Sequence, residues 1–358
     1  MALFRRRARS GPTDIRLDAD RSAQIDDYLA EQIQPDGPGL ALAVAEAGAV
    51  VHAVGYGLAD IASRRPIAPE TIFHLASCGK QFTALGVLML ADAHKLRLDD
   101  PVSKYLPALS GFGPDVTLRR MLNHTAGIRD FYDEAGVDEV LARCERPTNA
   151  DIIGLCVDLG CPMAEHGIAP GDTFCYGNTS YDLLGSVIEQ VSGQSYRDFF
   201  QRRVFDPLGM KDTFSAPDDR ARGSRCATGY VLDDDGAFVA FGDSEFDGLV
   251  GSGSFFTTIG DLCRYDQGLN TNRLISEAAQ REAVTRGRTN DGQLTEYGLG
   301  WYLEDYEGSP LAEHKGEWTG FFTYMVRYLD RPLSIFALSN HPDLNLIDLA
   351  NVASDAYS

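Results

Sequence analysis

The sequence predicts an α/β architecture, an α+β sandwich. An antiparallel sheet built from the N- and C-terminal segments is flanked by helices and carries an inserted, mainly helical subdomain. Three observations lead there. Short apolar runs bounded by turn residues sit near both ends of the chain. Between about 77 and 220, apolar residues recur at helical spacing. The 358 residues are 44 % hydrophobic and 23 % charged, a globular mixture long enough to bury a large core. One domain over 1–358 is expected, with 15–76 and 256–358 forming the α/β part and 77–255 the helical part.

In chain order, Asp20 to Gln34 reads as an amphipathic helix closed by Pro35-Asp36-Gly37-Pro38. Leu40 to Ala45 and Val50 to Val54, joined through Glu46-Ala47-Gly48, read as a hairpin. Thr71 to Leu75 is extended, and a long helix runs from about Ser77 to Ala93. Val116 to Leu122, Asn149 to Leu159, Ser180 to Val191 and Tyr196 to Val204 follow with helical periodicity. Short extended pieces with acidic turns fill 228–250. Thr258 and Asp261 form a capping-box pattern that opens another helix. Tyr297 to Leu303, Phe321 to Tyr328 and Leu333 to Leu338 read as strands, and Leu344 to Ala356 as a last helix. A cleft is expected where the two parts meet.

Composition removes several classes of function. Lys and Arg number 32 against 52 Asp and Glu, a net charge of −20. Such a surface repels phosphate backbones and anionic lipid, so neither nucleic acid nor membrane is expected as a partner. The longest apolar run, Leu85 to Ala91, is far short of the roughly 20 residues that span a bilayer. Arg5, Arg6, Arg7 and Arg9 resemble the start of a signal peptide, but Ser10-Gly11-Pro12 follows instead of an apolar stretch. The seven cysteines are odd in number and irregularly spaced, as reduced thiols of a cytoplasmic protein would be. Cys156, Cys161 and His166 lack the Cys-x-x-Cys spacing of a zinc site, and no metal is expected.

The chemistry centres on Ser77-Cys78-Gly79-Lys80. A serine hydroxyl is a poor nucleophile until a base removes its proton. On a helix, residues three apart share a face, so Lys80 reaches Ser77. Burial of that face would cost the ammonium its hydration and turn it into a usable base. At a helix start the backbone N–H of Ser77 is also available to an oxyanion. The alternative is a capping serine beside a solvated lysine. Random placement of 21 serines and five lysines yields about 0.3 such pairs, and the one present falls at an extended-to-helix junction.

Two further elements fit the same chemistry. In Tyr176-Gly177-Asn178 a phenol can pass protons to a lysine, and an amide two residues on can orient a substrate carbonyl. If the segment is extended, both side chains share a face. The alternative is a loop tyrosine packed on the core. In His314-Lys315-Gly316-Glu317, on an edge strand beside the nucleophile, the N–H of Glu317 is a candidate second oxyanion donor. Gly316 would let substrate approach the backbone, and His314 would hydrogen-bond substrate or the lysine–tyrosine network. An ordinary turn into a strand is the plainer reading of this piece.

In this order, the three elements resemble the serine hydrolases related to class C β-lactamases and penicillin-binding proteins. Met121 to Ile128 is similar to that family's Leu-Leu-x-His-Thr-Ser-Gly segment, and Phe205 to Phe214 to its Pro-Leu-Gly-Met stretch. Gly251-Ser252-Gly253-Ser254 with Thr257 to Leu262 resembles its Gly-x-Gly-Gly segment and following helix start, and His314 to Phe321 its His-x-Gly version of the third motif. The likeness spans about 37 to 342. It implies a β-lactamase/transpeptidase-like fold, Ser77 as the acylated nucleophile, Lys80 and Tyr176 as the acid/base pair, and Asn178 orienting substrate. It further implies an oxyanion hole made by the N–H groups of Ser77 and Glu317, with no metal or organic cofactor. His124 reads as structural.

The sequence departs from the β-lactamases where their third motif begins with a lysine that attracts a carboxylate. Here that place is His314, Lys315 points to the other strand face, and Glu317 adds an acid. Trp318 offers an apolar wall. The expected function is therefore a carboxylesterase acting on small esters through an acyl-enzyme. A D-aminopeptidase or amidase, a weak β-lactamase and a non-catalytic binding homologue are the alternatives. The partner expected is a small ester or amide substrate.

Overall fold

The computed structural model describes residues 14–160, 168–216, 223–242, 244–318 and 320–358. The Arg5 to Arg9 arm, Cys161 and His166 lie outside the described residues.

A seven-stranded antiparallel sheet forms the frame. Its strands are β1 (Ile15–Arg16), β2 (Leu40–Glu46), β3 (Ala49–Tyr56), β4 (Tyr302–Tyr306), β5 (Ser309–Trp318), β6 (Phe321–Tyr328) and β7 (Leu333–Ser339). They lie side by side in the order β1-β3-β2-β7-β6-β5-β4. The two ends of the chain thus interleave, and β2 joins β7 in register from Leu40↔Ser339 to Glu46↔Leu333. The β2–β3 hairpin turns on Ala47 (φ 50°) and Gly48 (φ 79°), both left-handed, which matches the twist of the paired strands.

Alternation along the strands separates two cores. Leu40, Leu42 and Val44 face outward, against helix α1 (Ala19–Gln32) and the C-terminal helix, through Ile25, Leu29, Leu349 and Ala353. Ala41 and Ala43 face inward, and their small side chains let helices sit close to the sheet. Helix α2 (Lys80–Asp92) is buried there nearly all round, eleven of its 13 residues being inaccessible. An all-round apolar helix belongs between layers. Each of its large apolar side chains contributes roughly 1.5–3 kcal/mol by leaving water. On its far side Gly86 admits helix α3 (Thr179–Ser192): a Cβ there would stand 2.9 Å from Ile188 and 2.8 Å from Phe200. Helices α4 (Ile259–Asn270) and α5 (Leu346–Ala356) complete the two faces; Thr258 caps α4 by accepting from Asp261 N.

The sequence reading and the structure differ in three places that matter. The expected strand Tyr297 to Leu303 lies instead at Tyr302–Tyr306. Gly300 (φ 87°) turns the preceding residues against α2, where a Cβ would meet Ala84 at 2.8 Å. The strand that carries His314 to Glu317 is ten residues long, Ser309–Trp318, whereas the sequence reading placed only the motif itself on a strand edge. Ser77 lies in a 3-10 turn, Ala76–Gly79, that precedes α2, rather than inside one continuous α-helix.

Among the described residues, no helix is long and apolar enough to cross a membrane, and no cluster of His, Cys, Asp or Glu has the geometry to hold a metal ion.

Candidate active site

The chain reaches Ser77 from the short strand Phe73–His74, which pairs with Phe255–Thr257, and Leu75 N still donates to Phe255 O at 2.7 Å. Ala76 then takes φ 50° while fully buried. A left-handed alanine costs about 1–2 kcal/mol, and it turns the strand sharply into the 3-10 turn. His74 supports the turn by accepting Ala76 N–H at 3.1 Å; its burial holds its pKa at about 3, so it is neutral.

Lys80 opens α2 with no exposed surface at all. Its Nζ lies 3.1 Å from Ser77 Oγ, 2.7 Å from Asn178 Oδ1 and 3.0 Å from the Ser252 carbonyl. Burial pushes the lysine well below its usual range, while the carboxylates of Asp182 and Asp130 push back. Counting hydrogens gives the chemistry. An ammonium donates all three to these oxygens. A neutral amine keeps two, for Asn178 and Ser252, and turns its lone pair to the Ser77 hydroxyl.

Tyr176 sits beneath the amine, its ring centroid 4.8 Å from Lys80 Nζ, with its hydroxyl beside the Ser77 side chain. Burial raises its pKa, so it is a phenol with a proton to give. Asn178 is not extended, as the sequence reading supposed. It is the first half-helical residue before α3, at φ −82°, ψ −38°. Asp130 fixes it by accepting from Asn178 N (2.9 Å), Thr179 N (3.0 Å) and Asn178 Nδ2 (3.4 Å), which leaves Oδ1 for Lys80. A carboxylate at a helix N-terminus is also favoured by the helix dipole.

Strand β5 closes the other side. Gly316 presses on the Ser77 turn so tightly that a Cβ would stand 2.4 Å from Thr323 Oγ1 and 2.7 Å from Leu75 O. Strand β4 reaches only as far as Glu313, opposite Tyr302, so the edge from His314 to Trp318 is open beside Ser77. Lys315 and Glu317 are exposed while His314 and Gly316 are buried, as strand alternation requires. His314 is held neutral by burial, at a pKa of about 3, and both ring nitrogens are engaged. Nδ1 lies 2.6 Å from Lys315 O and so carries the hydrogen; Nε2 accepts from Tyr297 OH at 2.9 Å. His314 therefore shapes the pocket with Tyr297 instead of bonding Lys80. His124 lies deeper, accepting Gly177 N–H at 3.3 Å and packing at a 38° tilt, 4.4 Å from the Tyr176 ring, which anchors the Tyr176 loop.

Ser77 and Glu317 stand where two arms of a cleft meet. One arm, of about 490 Å³, is walled by Tyr132, Phe246 and Trp318, the first two rings tilted against each other and both edge to face with Trp318. The other, of about 940 Å³, runs past Tyr176 and Tyr302 to Lys315 and Ile347. Cys78 points away from both, its buried thiol donating to His314 O and pushed up to about 12. Sequence reasoning missed Asp130, Tyr132, Asp182, Ser252 and Tyr297. Of these only Asp182 carried a usable signal, one helical turn after Asn178.

Fold and site together define a class, the serine hydrolases of the β-lactamase and penicillin-binding-protein kind. A family model described as Beta-lactamase matches residues 23–354, and the chain belongs to that family. It is 33 % identical over 325 residues to penicillin-binding protein 4* of Bacillus subtilis (strain 168), covering 87 % of this chain and 69 % of that one. It is 29 % identical over 304 residues to a D-aminopeptidase of Brucella anthropi, covering 85 % of this chain and only 56 % of the relative. The octameric penicillin-binding protein homologue from Pyrococcus abyssi superposes with a TM-score of 0.80 at 27 % identity, over 94 % of this chain and 77 % of that one.

Proposed function

We propose that the protein is a carboxylesterase that acts on small esters through an acyl-enzyme on Ser77. The observation that carries this is the fully buried Lys80 amine, 3.1 Å from Ser77 Oγ with its two other contacts already satisfied. The neutral amine takes the hydroxyl proton as Oγ attacks the ester carbonyl carbon. The N–H groups of Ser77 and Glu317 hold the oxyanion. On collapse the C–O bond breaks, and the leaving alcohol takes a proton from the Tyr176 phenol, which Lys80 replenishes. A water molecule then attacks the acyl carbon and gives a proton to the Tyr176–Lys80 pair as Ser77 regains its own. The balance is ester plus water to acid plus alcohol. Asn178 orients the acyl group, and Gly316 leaves the strand edge open to it.

One observation favours a second reading, hydrolysis of D-aminoacyl amides. Glu317 is exposed at the meeting of the two arms beside the Trp318–Tyr132–Phe246 wall, a setting suited to a substrate ammonium. The D-aminopeptidase relative supports it. The active cleft would lie between an α/β part, 15–76 with 256–358, and a helical part, 77–255. The compartment we favour is the cytoplasm, on the irregular spacing of the seven cysteines.

Turnover of p-nitrophenyl acetate and of a D-aminoacyl p-nitroanilide tests both readings, with Ser77→Ala beside the wild type. Loss of turnover in Ser77→Ala supports acyl transfer through Ser77, and equal rates in the two proteins reject it. Faster turnover of the ester supports the first reading, and faster turnover of the anilide the second.

A further inference from the structure

A buried carboxylate behind the site has no part in the steps above. Asp182 lies wholly inside α3, four residues after Asn178 and therefore on the same helix face. Its Oδ1 accepts Ser252 N–H at 3.1 Å, and its Oδ2 accepts the Tyr132 hydroxyl at 3.0 Å. The Ser252 carbonyl is one of the three acceptors of Lys80 Nζ. Tyr132 is part of the aromatic wall of the cleft.

The Ser252 segment is clamped on both sides. A Cβ at Gly251 would stand 2.1 Å from Tyr181 O, and one at Gly253 would stand 2.9 Å from Ala76 O, in the turn that carries Ser77. Packing therefore fixes where the segment lies. The Asp182 bond fixes how the Ser252 residue is oriented, and with it the carbonyl that aims the amine.

We propose that Asp182 is a positioning residue of the Ser77–Lys80 pair: one carboxylate oxygen orients the Ser252 residue that receives Lys80, and the other ties in the Tyr132 phenol of the cleft wall. This rests on acyl transfer by Ser77. Two results follow. The carboxylate charge attracts the ammonium form of Lys80 and so opposes its deprotonation, while the clamp aims its lone pair. Asp182 also joins the substrate wall to the base.

The groups facing the pair are few. Asp182 is faced by Lys80, Asp130, Tyr132 and Tyr196. Lys80 is also faced by Cys78, His124, Tyr176, Tyr181 and His314. Burial keeps the thiol and phenols protonated and the imidazoles uncharged. The charges that matter near neutral pH are therefore those of Lys80, Asp182 and Asp130. Burial raises the pKa of Asp182, and the lysine opposes that rise.

Asp182→Asn tests the proposal, because an amide keeps the shape but deletes the charge and, with it, the charge-assisted strength of the Ser252 bond. The readout is the rate of Ser77 labelling by a fluorophosphonate against pH, followed by intact mass. The base must be neutral, so labelling rises with pH through the lysine's titration. Without the attraction that titration falls, and the rising limb should move to lower pH by about one unit. The plateau rate should drop about tenfold as the clamp loosens. A folded, labelled variant with an unmoved limb overturns the proposal. If the variant does not fold, the wild-type protein decides. The Asp182 ¹³Cγ resonance should show a second inflection at the pH where labelling rises, since coupled groups report each other's titration. A single inflection below that pH overturns the proposal. If wild-type protein is not labelled at all, acyl transfer by Ser77 fails first, and the two failures are thereby told apart.

Discussion

Gly316 leaves no space for a side chain against Ser77: a Cβ on the strand residue would stand 2.9 Å from the backbone nitrogen of the serine. The strand edge and the Ser77 turn thus touch backbone to backbone. Gly316→Ala must push the strand or the turn away, because contacts of 2.4, 2.7 and 2.9 Å lie well inside van der Waals distance. We expect kcat/KM for p-nitrophenyl acetate to fall about a hundredfold, since small displacements cost that much in a positioned site. Overpacking should also cost about 1–3 kcal/mol of stability. Esterase kinetics and urea denaturation on the same preparation check both numbers. An alanine variant with unaltered kinetics would mean that the edge and the turn do not cooperate in the reaction.

Lys80→Met separates the amine's chemistry from its packing. Methionine fills a similar volume without charge, but it leaves the Asn178 and Ser252 oxygens without their donor. Removing a general base typically costs 10²–10⁴ in rate, and we expect a loss of about a thousandfold in fluorophosphonate labelling. The melting temperature should change by only a few degrees, because the cost of two unpaired oxygens offsets the relief of no longer burying an ionisable group. Thermal unfolding and labelling on one sample check it. Wild-type labelling in the methionine variant would show that another group activates the serine.

Ser77 and Lys80 were legible because their pairing is local. Three residues apart at a strand-to-helix junction, with only five lysines in the chain, they stand out by spacing alone. The sheet was legible for the same reason at β2, β3, β6 and β7, whose apolar runs are continuous. Strand β5 was harder to see. Its Glu-His-Lys-Gly-Glu stretch carries charges at every second position and a glycine where packing demands one. The residues around the amine were illegible for another reason. Asn178 and Ser252 lie 98 and 172 residues from Lys80, and Asp130 acts on the amine through Asn178 and through its charge. No local periodicity encodes contacts that a tertiary fold alone creates.

Glu313 provides a test of stability away from the chemistry. It is buried on β5, with Oε2 lacking a hydrogen-bond partner, and burial together with Glu304 raises its pKa to about 7. The unfolded carboxyl titrates near 4.5. Between those values the folded state holds a proton that the unfolded state has lost, so the cost of burial appears as pH rises through 4.5 and is complete above 7. Glu313→Gln removes the titration. It should stabilise the fold by about 3 kcal/mol at pH 8 and leave it nearly unchanged at about pH 4.5. Urea denaturation at the two pH values measures the difference. An equal gain at both would mean that the carboxyl's charge is not what burial opposes.

Glu317 decides between ester and aminoacyl amide. Its backbone N–H belongs to the strand edge and survives any side-chain change, whereas its exposed carboxylate side chain shares a strand face with Lys315, and the residue lines both arms of the cleft beside Ser77. If that carboxylate receives a substrate ammonium beside the Trp318 ring, Glu317→Gln removes one ion pair from a partly desolvated site. A loss of about 1.4 kcal/mol in transition-state binding is a tenfold fall in kcat/KM. We expect that fall for a D-aminoacyl p-nitroanilide, carried mainly in KM. For p-nitrophenyl acetate, which has no charge to match, the change should stay within about twofold. Steady-state kinetics on both substrates, repeated at high salt, measure the contrast, because screening should narrow it. Equal losses on the two substrates would place the carboxylate's effect on the reaction itself, through the strand edge, and would remove the ammonium from the account of specificity.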